Sequence, residues 1–115
     1  SPIYRAIETE DFQFGFNATP AYELLGIGDR APGPGPEPTP VIAYATLMLP
    51  DPAAVDAACA SAASLGGRVA KGPFATYYGQ WQAVLCDPEG NVFRVAAASL
   101  PAGVSAPPLP AVPAH

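Results

Sequence analysis

Five prolines stand at alternate positions between Pro32 and Pro40, in the segment APGPGPEPTP. Because proline fixes φ and has no backbone N–H, this spacing excludes a helix or a central strand and predicts an extended spacer. The spacer ends a connection over residues 18–40 that separates a short front unit from a longer rear unit. We predict one domain over residues 1–100, followed by a proline-rich tail at 101–115 that forms an extended arm.

The rear unit, residues 41–98, has the pattern strand, helix, strand, strand, strand. Its first segment, VIAYATLML at 41–49, is apolar almost throughout and predicts a strand buried on both faces. The helix begins with Asp51 as N-cap and Pro52 as its first residue, and Gly66 is suited to end it. The turn sequence DPEGN separates the last two strands. This order of elements predicts an α+β fold.

The front unit, residues 3–17, predicts a hairpin with an acidic turn. In the segment DFQFGFN, Phe12, Phe14 and Phe16 alternate with small or polar residues and fall on one face of a strand. Three aromatic rings on one strand face indicate a core, and a ligand-binding wall is the alternative.

Charge and rare residues exclude several classes of function. The net charge is −5 with only five Lys and Arg, which argues against a nucleic-acid partner. No apolar run is long enough to span a membrane, and no signal peptide is visible. Cys59 and Cys86 are too few for a disulfide scaffold, so we expect buried thiols in a cytoplasmic protein. The only histidine, His115, lies at the end of the tail, which argues against nucleophilic catalysis through a Ser–His or Cys–His pair.

The order ASLGGRVAKGPF followed by YYGQWQAVLCDPEGNVFRV resembles the glyoxalase / bleomycin-resistance / extradiol-dioxygenase (vicinal oxygen chelate) superfamily. The resemblance implies paired βαβββ modules whose strands curl into a half-open cup. Residues 41–98 match a complete module, and residues 3–17 match a partial first module that lacks its opening strand and helix. A sheet left partly uncovered in this way would expose apolar surface, so we expect a homodimer.

The resemblance also bears on metal binding, because many family enzymes hold a divalent metal with His, Gln and Glu side chains in the cup. Tyr44 stands near the usual His of the second module, and Arg94 stands where a Glu usually binds the metal. Phe14 occupies the corresponding point of the first module. An arginine is always charged and has no lone pair for a cation. The match therefore implies a cup without metal or cofactor, and it assigns no catalytic residue.

Arg94 has two interpretations. If its side chain faces the cup, its guanidinium binds an anionic or carbonyl-bearing ligand, with aromatic side chains around it. If it faces outward, it pairs with Glu8 or Glu10 on a wet surface. For Trp81, packing in the core or at a dimer interface is the preferred interpretation, and a ligand contact is the alternative. The candidate ligand-binding residues are Arg94, Tyr44, Phe14, Trp81 and Tyr78.

Three functions remain open from the sequence. The first is a metal-free protein that binds or sequesters a small anionic or aromatic molecule. The second is a metal-dependent lyase, isomerase or dioxygenase with unusual ligands, drawn from Glu8, Glu10, Asp11 and Glu23. The third is a structural or regulatory dimer without a small ligand.

Overall fold

The computed structural model describes residues 4–11, 13–35 and 40–109. These residues form a mixed α+β fold. The strands are β1 (Tyr4–Glu8), β2 (Gln13–Asn17), β3 (Thr46–Leu49), β4 (Arg68–Ala75), β5 (Trp81–Cys86) and β6 (Val92–Ala97). The helices are α1 (Ala21–Leu24) and α2 (Pro52–Ser64), with a 3₁₀ turn at Gly28–Arg30. Across the described ranges, no helix is both long and apolar enough to cross a membrane.

Four strands form one sheet in the order β3-β6-β5-β4. The pairing of β3 with β6 is parallel, and the other two pairings are antiparallel. Strands β1 and β2 pair with each other as a separate antiparallel hairpin. In the described part of the chain the strands do not close into a barrel, so the sheet forms the half-open cup expected of a glyoxalase-like fold.

Helix α2 covers one face of the four-stranded sheet. Its N-terminus is as predicted, because the Asp51 carboxylate accepts a hydrogen bond of 2.9 Å from the backbone N–H of Ala54, with Pro52 next in the chain. Gly66 follows the helix with a φ of 87°, a conformation that glycine adopts without strain. The fully buried Val55 packs between the helix and the strands, with Ala83, Leu85, Val95 and Ala97.

The connection before β3 covers part of the other sheet face, where the cup lies. Leu25, Ile27 and Val41 from the connection pack against residues of β5 and β6. Two hydrogen bonds fix the connection: Val41 N–H to the Arg30 carbonyl at 2.8 Å, and the Arg30 guanidinium to the Gly90 carbonyl at 3.1 Å. The rest of this face stays open as the cup.

The strand predicted for residues 41–49 is shorter and more exposed than expected. Regular pairing begins at Thr46, and Leu47 and Met48 are exposed, with Met48 at 55%. Both exposures follow from the strand order, because β3 lies at the edge of the sheet and has a neighbour on one side only. The prediction of a strand buried on both faces was therefore wrong.

The hairpin lies where the sequence predicted it, but its phenylalanines do not form a core. Phe14 and Phe16 are exposed, Phe16 at 67%, and their rings contact each other edge-to-face with centroids 5.3 Å apart. Phe12 lies outside the described residues. The alternation was interpreted correctly as a strand, and the core role was wrong for these two rings because no other element of the described chain covers them.

The proline-rich segments are described only in part. Residues 36–39 of the spacer and 110–115 of the tail lie outside the described residues, so these parts of the two predictions stay untested. Residues 101–109 contain no helix or strand. Pro107 and Pro108 nevertheless line the cavity described next, so the start of the tail packs on the domain.

Candidate functional site

Arg94 faces the open side of the cup. On β6 it pairs with Thr46 of β3 on one side and with Val84 of β5 on the other. Directly paired residues point to the same face of a sheet, and this face is the one opposite helix α2. There the guanidinium lines a cavity of about 540 Å³, enclosed by the sheet, the hairpin, α1 and the start of the tail. This volume suits a small organic ligand.

Neutral oxygen atoms hold the guanidinium in place. Arg94 Nε donates to Thr46 Oγ1 at 2.9 Å. Nη1 donates to Gln82 Oε1 at 3.2 Å and to the Tyr78 hydroxyl at 3.3 Å. The charge is thus oriented by three acceptors, none of which is an anion. These contacts support the interpretation of Arg94 as a cup residue and not as half of a surface ion pair with Glu8 or Glu10.

Gln82 is the buried member of the hydrogen-bond network around Arg94, because its side chain is only 1% exposed. Its Oε1 faces Arg94, and its Nε2 donates to the Tyr78 hydroxyl at 2.8 Å and to Gln80 Oε1 at 2.9 Å. All polar atoms of a buried amide must find partners, and here three side chains provide them. The buried side chain of Gln82 therefore helps to fix the position of the Arg94 guanidinium.

Two donor groups next to each other, Nη2 of Arg94 and the hydroxyl of Tyr78, have no hydrogen-bond acceptor among the described residues. The Tyr78 hydroxyl already accepts from Gln82 and Arg94, so its own proton is free to donate to a ligand. Within the described residues, Nη2 of Arg94 has no hydrogen-bond acceptor, and this atom is accessible to solvent. The site therefore presents donors to the cavity, which is the arrangement that an acceptor group such as a carboxylate requires.

Tyr44 forms an aromatic wall beside the charge. The Arg94 guanidinium carbon lies 5.3 Å from the centroid of the Tyr44 ring, within range of a cation–π contact. Asn17 of the hairpin donates to the Tyr44 hydroxyl at 2.7 Å. This bond ties β2 to the segment before β3 and closes one side of the cavity.

Tyr4 lines the cavity from the hairpin. Burial raises the pKa of the Tyr4 hydroxyl, and the nearby charge of Arg94 opposes this shift in part. Tyr4 is paired with Asn17 and lies diagonally across from Gly15, where a methyl group would overlap the tyrosine ring. The glycine in QFGFN thus leaves room for an aromatic side chain of the site.

The structure does not bring all five predicted residues together. Arg94, Tyr44 and Tyr78 line the same cavity. Phe14 lines a neighbouring cavity of about 600 Å³, which Arg94 and Tyr44 also border.

Trp81 lies on the opposite face of the sheet, where it packs near α2 and donates from its indole N–H to Asp56 at 2.9 Å. The expectation that Trp81 contacts a ligand beside Arg94 is corrected by this placement. Trp81 instead packs against the core under α2, which was the role first expected for it.

The carboxylates considered as metal ligands do not converge. Glu8 lines the Arg94 cavity and accepts a hydrogen bond of 2.6 Å from Gln13, whereas Asp11 lines the neighbouring cavity. Glu10 and Glu23 line neither of the two. Among the residues that the structure describes, no group of three or more His, Cys, Asp or Glu side chains is placed to hold a metal ion.

Sequence reasoning missed Gln82, Thr46, Tyr4 and Lys71, all of which contact or line the site. A signal for Gln82 was available in the turn DPEGN. If Cys86 and Val92 are paired across this turn, as they are in the structure, Val84 falls opposite Arg94 and Gln82 shares their face. The other three depend on contacts between distant segments, which no local pattern specifies.

The solved structures that the chain resembles include the following two. The chain is 36% identical to a glyoxalase/bleomycin resistance protein/dioxygenase family enzyme from Burkholderia phytofirmans PsJN. The match covers 85% of this chain and 73% of that one, with a TM-score of 0.50. A glyoxalase/bleomycin resistance protein/dioxygenase from Nocardioides is 16% identical, with 96% of this chain and 70% of that one covered and a TM-score of 0.45. No family model and no curated protein matches the sequence.

Proposed function

The chain belongs to the glyoxalase/bleomycin resistance/dioxygenase family, and we propose that it binds or sequesters a small anionic, aromatic molecule in its cup without a bound metal. The observation that carries this proposal is the Arg94 guanidinium, held by Thr46, Gln82 and Tyr78 with Nη2 directed to no acceptor of the described chain. A carboxylate can accept hydrogen bonds from Nη2 and from the Tyr78 hydroxyl, the two donor groups that this network leaves to a ligand.

The charge and lining of the cavity support a ligand with one negative charge and an aromatic body. Arg94 and Lys71 contribute two positive charges to the cavity wall, and Glu8 contributes one negative charge, so a monoanion neutralises the remainder. The rings of Tyr4, Tyr44 and Phe74 provide aromatic faces against which a flat ligand can pack.

The residues at the family's usual metal positions do not fit a divalent cation. Arg94 can only donate hydrogen bonds, and its fixed positive charge repels a cation at the point where a carboxylate would bind one. The side chain of Tyr44 accepts from Asn17 and lies under the guanidinium, so it too belongs to the site's anion-binding arrangement. We therefore derive no reaction step through a metal.

Two ligands of the same shape test this proposal. We expect isothermal titration calorimetry to detect binding of benzoate and at least tenfold weaker binding of benzamide, whose NH₂ group would face the donors of Arg94 and Tyr78. Arg94→Met should abolish the preference for benzoate. Equal affinity for both compounds, or an unchanged preference in Arg94→Met, would contradict the proposal.

Elemental analysis tests the metal-free part separately. Protein purified without chelators should carry no stoichiometric Ni, Zn, Fe or Mn, and addition of these ions should not strengthen benzoate binding. One equivalent of any of these ions, retained after dialysis, would overturn the metal-free proposal.

We further propose that the protein forms a homodimer in the cytoplasm. Ile7, Phe14 and Phe16 on the hairpin and Leu47 and Met48 on β3 are exposed apolar side chains, which support association with a second copy. Cys59 and Cys86 are free thiols, as expected in a reducing compartment.

Multi-angle light scattering at micromolar concentration should give twice the chain mass, and Phe16→Ser should shift the mass to that of a monomer. A monomer mass for the unmodified protein would refute the dimer.

A further inference from the structure

Lys71 lies in the same row of the sheet as Arg94. On β4 it pairs with Val84 of β5, and Val84 pairs with Arg94 of β6. Neighbouring strands lie about 4.8 Å apart, so the backbones of the two basic residues are separated by roughly 10 Å. Because paired residues share a face, both side chains line the same cavity. A ligand held at Arg94 thus extends along the row towards Lys71.

Lys71 is partly buried in the cavity wall, where its amine contacts a carbonyl oxygen and an aromatic ring. Its Nζ donates to the backbone carbonyl of Leu24 at 2.6 Å and lies 4.0 Å from the centroid of the Phe74 ring. Burial lowers the pKa of the amine below its ordinary value, which increases the neutral, nucleophilic fraction.

The backbone around Lys71 is irregular in a way that directs this side chain. The pairing of β4 with β5 shifts register between Val69 and Lys71, and again between Lys71 and Phe74. Bulges of this kind re-aim a side chain relative to a regular strand and are frequent beside functional sites. Lys71 is also the only lysine of the chain, so its chemistry can be followed without competition from another lysine side chain.

We propose that Lys71 forms a reversible imine with the aldehyde or ketone carbonyl of an aromatic oxo acid whose carboxylate is bound by Arg94. This inference rests on the proposed function, since it uses Arg94 as the anchor for the carboxylate. It adds the position and chemical class of a second ligand group, a carbonyl at the Lys71 end of the cavity.

The step is balanced without an oxidant or reductant. The nitrogen lone pair of the neutral amine forms a bond to the carbonyl carbon, and the carbonyl π electrons move to the oxygen. Loss of a proton from nitrogen and gain of a proton by oxygen give a carbinolamine. Protonation of its hydroxyl group allows water to leave as the nitrogen lone pair forms the C=N bond, and loss of the remaining N–H proton gives the imine and returns the proton. The Leu24 carbonyl accepts an N–H of the amine and orients it beforehand.

Reductive trapping tests the imine. The protein is incubated with 4-formylbenzoate and sodium cyanoborohydride, and the product is analysed by intact mass and peptide mapping. We expect one adduct at Lys71, with the mass of the aldehyde less one oxygen atom. Benzaldehyde, which lacks the carboxylate, should label Lys71 at least tenfold more slowly. Peptide mapping separates this adduct from labelling of the N-terminal amine.

Two variants serve as controls. Arg94→Met should reduce labelling by 4-formylbenzoate to the rate of benzaldehyde, because the anchor is lost and the amine is kept. Lys71→Met should give no adduct in this peptide, and it should bind 4-methylbenzoate, which has the carboxylate and no carbonyl, more tightly than Arg94→Met does. Circular dichroism confirms that both variants are folded.

The outcomes separate this inference from the proposed function. If 4-methylbenzoate binds but 4-formylbenzoate leaves Lys71 unlabelled, the imine is overturned and the anion-binding function stands. Equal labelling by benzaldehyde and 4-formylbenzoate would show a reactive surface amine and would also overturn the inference. If no carboxylate binds and nothing labels Lys71, both proposals fall.

Discussion

Replacement of Gln82 by leucine should weaken ligand binding far more than it weakens the fold. The amide of Gln82 accepts from Arg94 at 3.2 Å and donates to Tyr78 and Gln80 at 2.8 and 2.9 Å. Leucine has a similar size and is compatible with the buried position, but it makes none of these hydrogen bonds. Arg94 then keeps its bond to Thr46 and loses the acceptor that fixes Nη1 from inside the sheet.

The magnitude follows from the kind of hydrogen bond that is lost. A hydrogen bond to a charged group contributes about 1.5–3 kcal/mol, and the lower end applies here because the bond is long and Arg94 is only half-buried. A loss of about 1.5 kcal/mol in orienting the guanidinium corresponds to roughly tenfold weaker benzoate binding. Tyr78 and Gln80 border the cavity and regain hydrogen bonds from water, so the free energy of unfolding should change by less than about 1 kcal/mol.

Calorimetric titration with benzoate measures the first quantity, and urea unfolding followed by circular dichroism measures the second. Trp81→Phe is the matched control, since Trp81 is the adjacent residue and points to the opposite face, where it bonds Asp56. We expect its benzoate affinity to equal that of the unmodified protein. The reasoning fails if Gln82→Leu binds benzoate within twofold of the unmodified protein, or if Trp81→Phe loses affinity to the same extent.

Two further predictions concern stability. Val55→Ala should lower the free energy of unfolding by about 2 kcal/mol in urea titrations, because the Val55 side chain is fully buried between α2 and the sheet. The control Ala57→Ser, on the exposed side of the helix, should change this free energy by less than about 0.5 kcal/mol. Similar effects of the two substitutions would contradict the placement of the core. Hydrogen bonds from the side chain and backbone of Asn91 lower the pKa of Asp87 below its ordinary value of 3.8, so the stability contributed by this carboxylate is present above pH 3.8 and is lost as the pH falls below it. Asp87→Asn should therefore flatten the decline of the unfolding free energy below that pH, and an unchanged slope would refute this role.

Local chemistry explains what the sequence could predict. Helix α2 was placed from Asp51, Pro52 and Gly66, because an N-cap side chain, an N-terminal proline and a glycine with positive φ act on the residues next to them. The turn from Asp87 to Asn91 was predicted for the same reason, and the structure shows its closing hydrogen bond, from Asp87 N–H to the Asn91 carbonyl at 2.9 Å. Such interactions join residues that are close together in the sequence, so a short segment is enough to predict them.

Burial, in contrast, depends on which strand lies at an edge and on which face the helix covers. The apolar run before Leu49 gave no sign that β3 has a neighbour on one side only, so Leu47 and Met48 were wrongly assigned to the interior. Strand alternation puts neighbouring residues such as Trp81 and Gln82 on opposite faces of a sheet, but it does not specify which of the two faces the cup. That choice is made by the packing of α2, which lies on the side of Trp81.

Alternate residues along β5 and β6 thus have different roles, depending on the face of the sheet to which their side chains point. Trp81 and Phe93 point to α2 and pack against it, whereas Gln82 and Arg94 point to the cup. On the cup side the oxygens of Thr46, Gln82 and Tyr78 hold the guanidinium, and Nη2 of Arg94 and the O–H of Tyr78 remain for a ligand. We expect a ligand with oxygen acceptors and a negative charge to complete this arrangement, and a cation or a donor-rich ligand to meet repulsion or to leave hydrogen bonds unmade. The anion specificity that we propose for the cup rests on this arrangement, in which neutral partners orient the Arg94 cation and the ligand would supply the compensating charge.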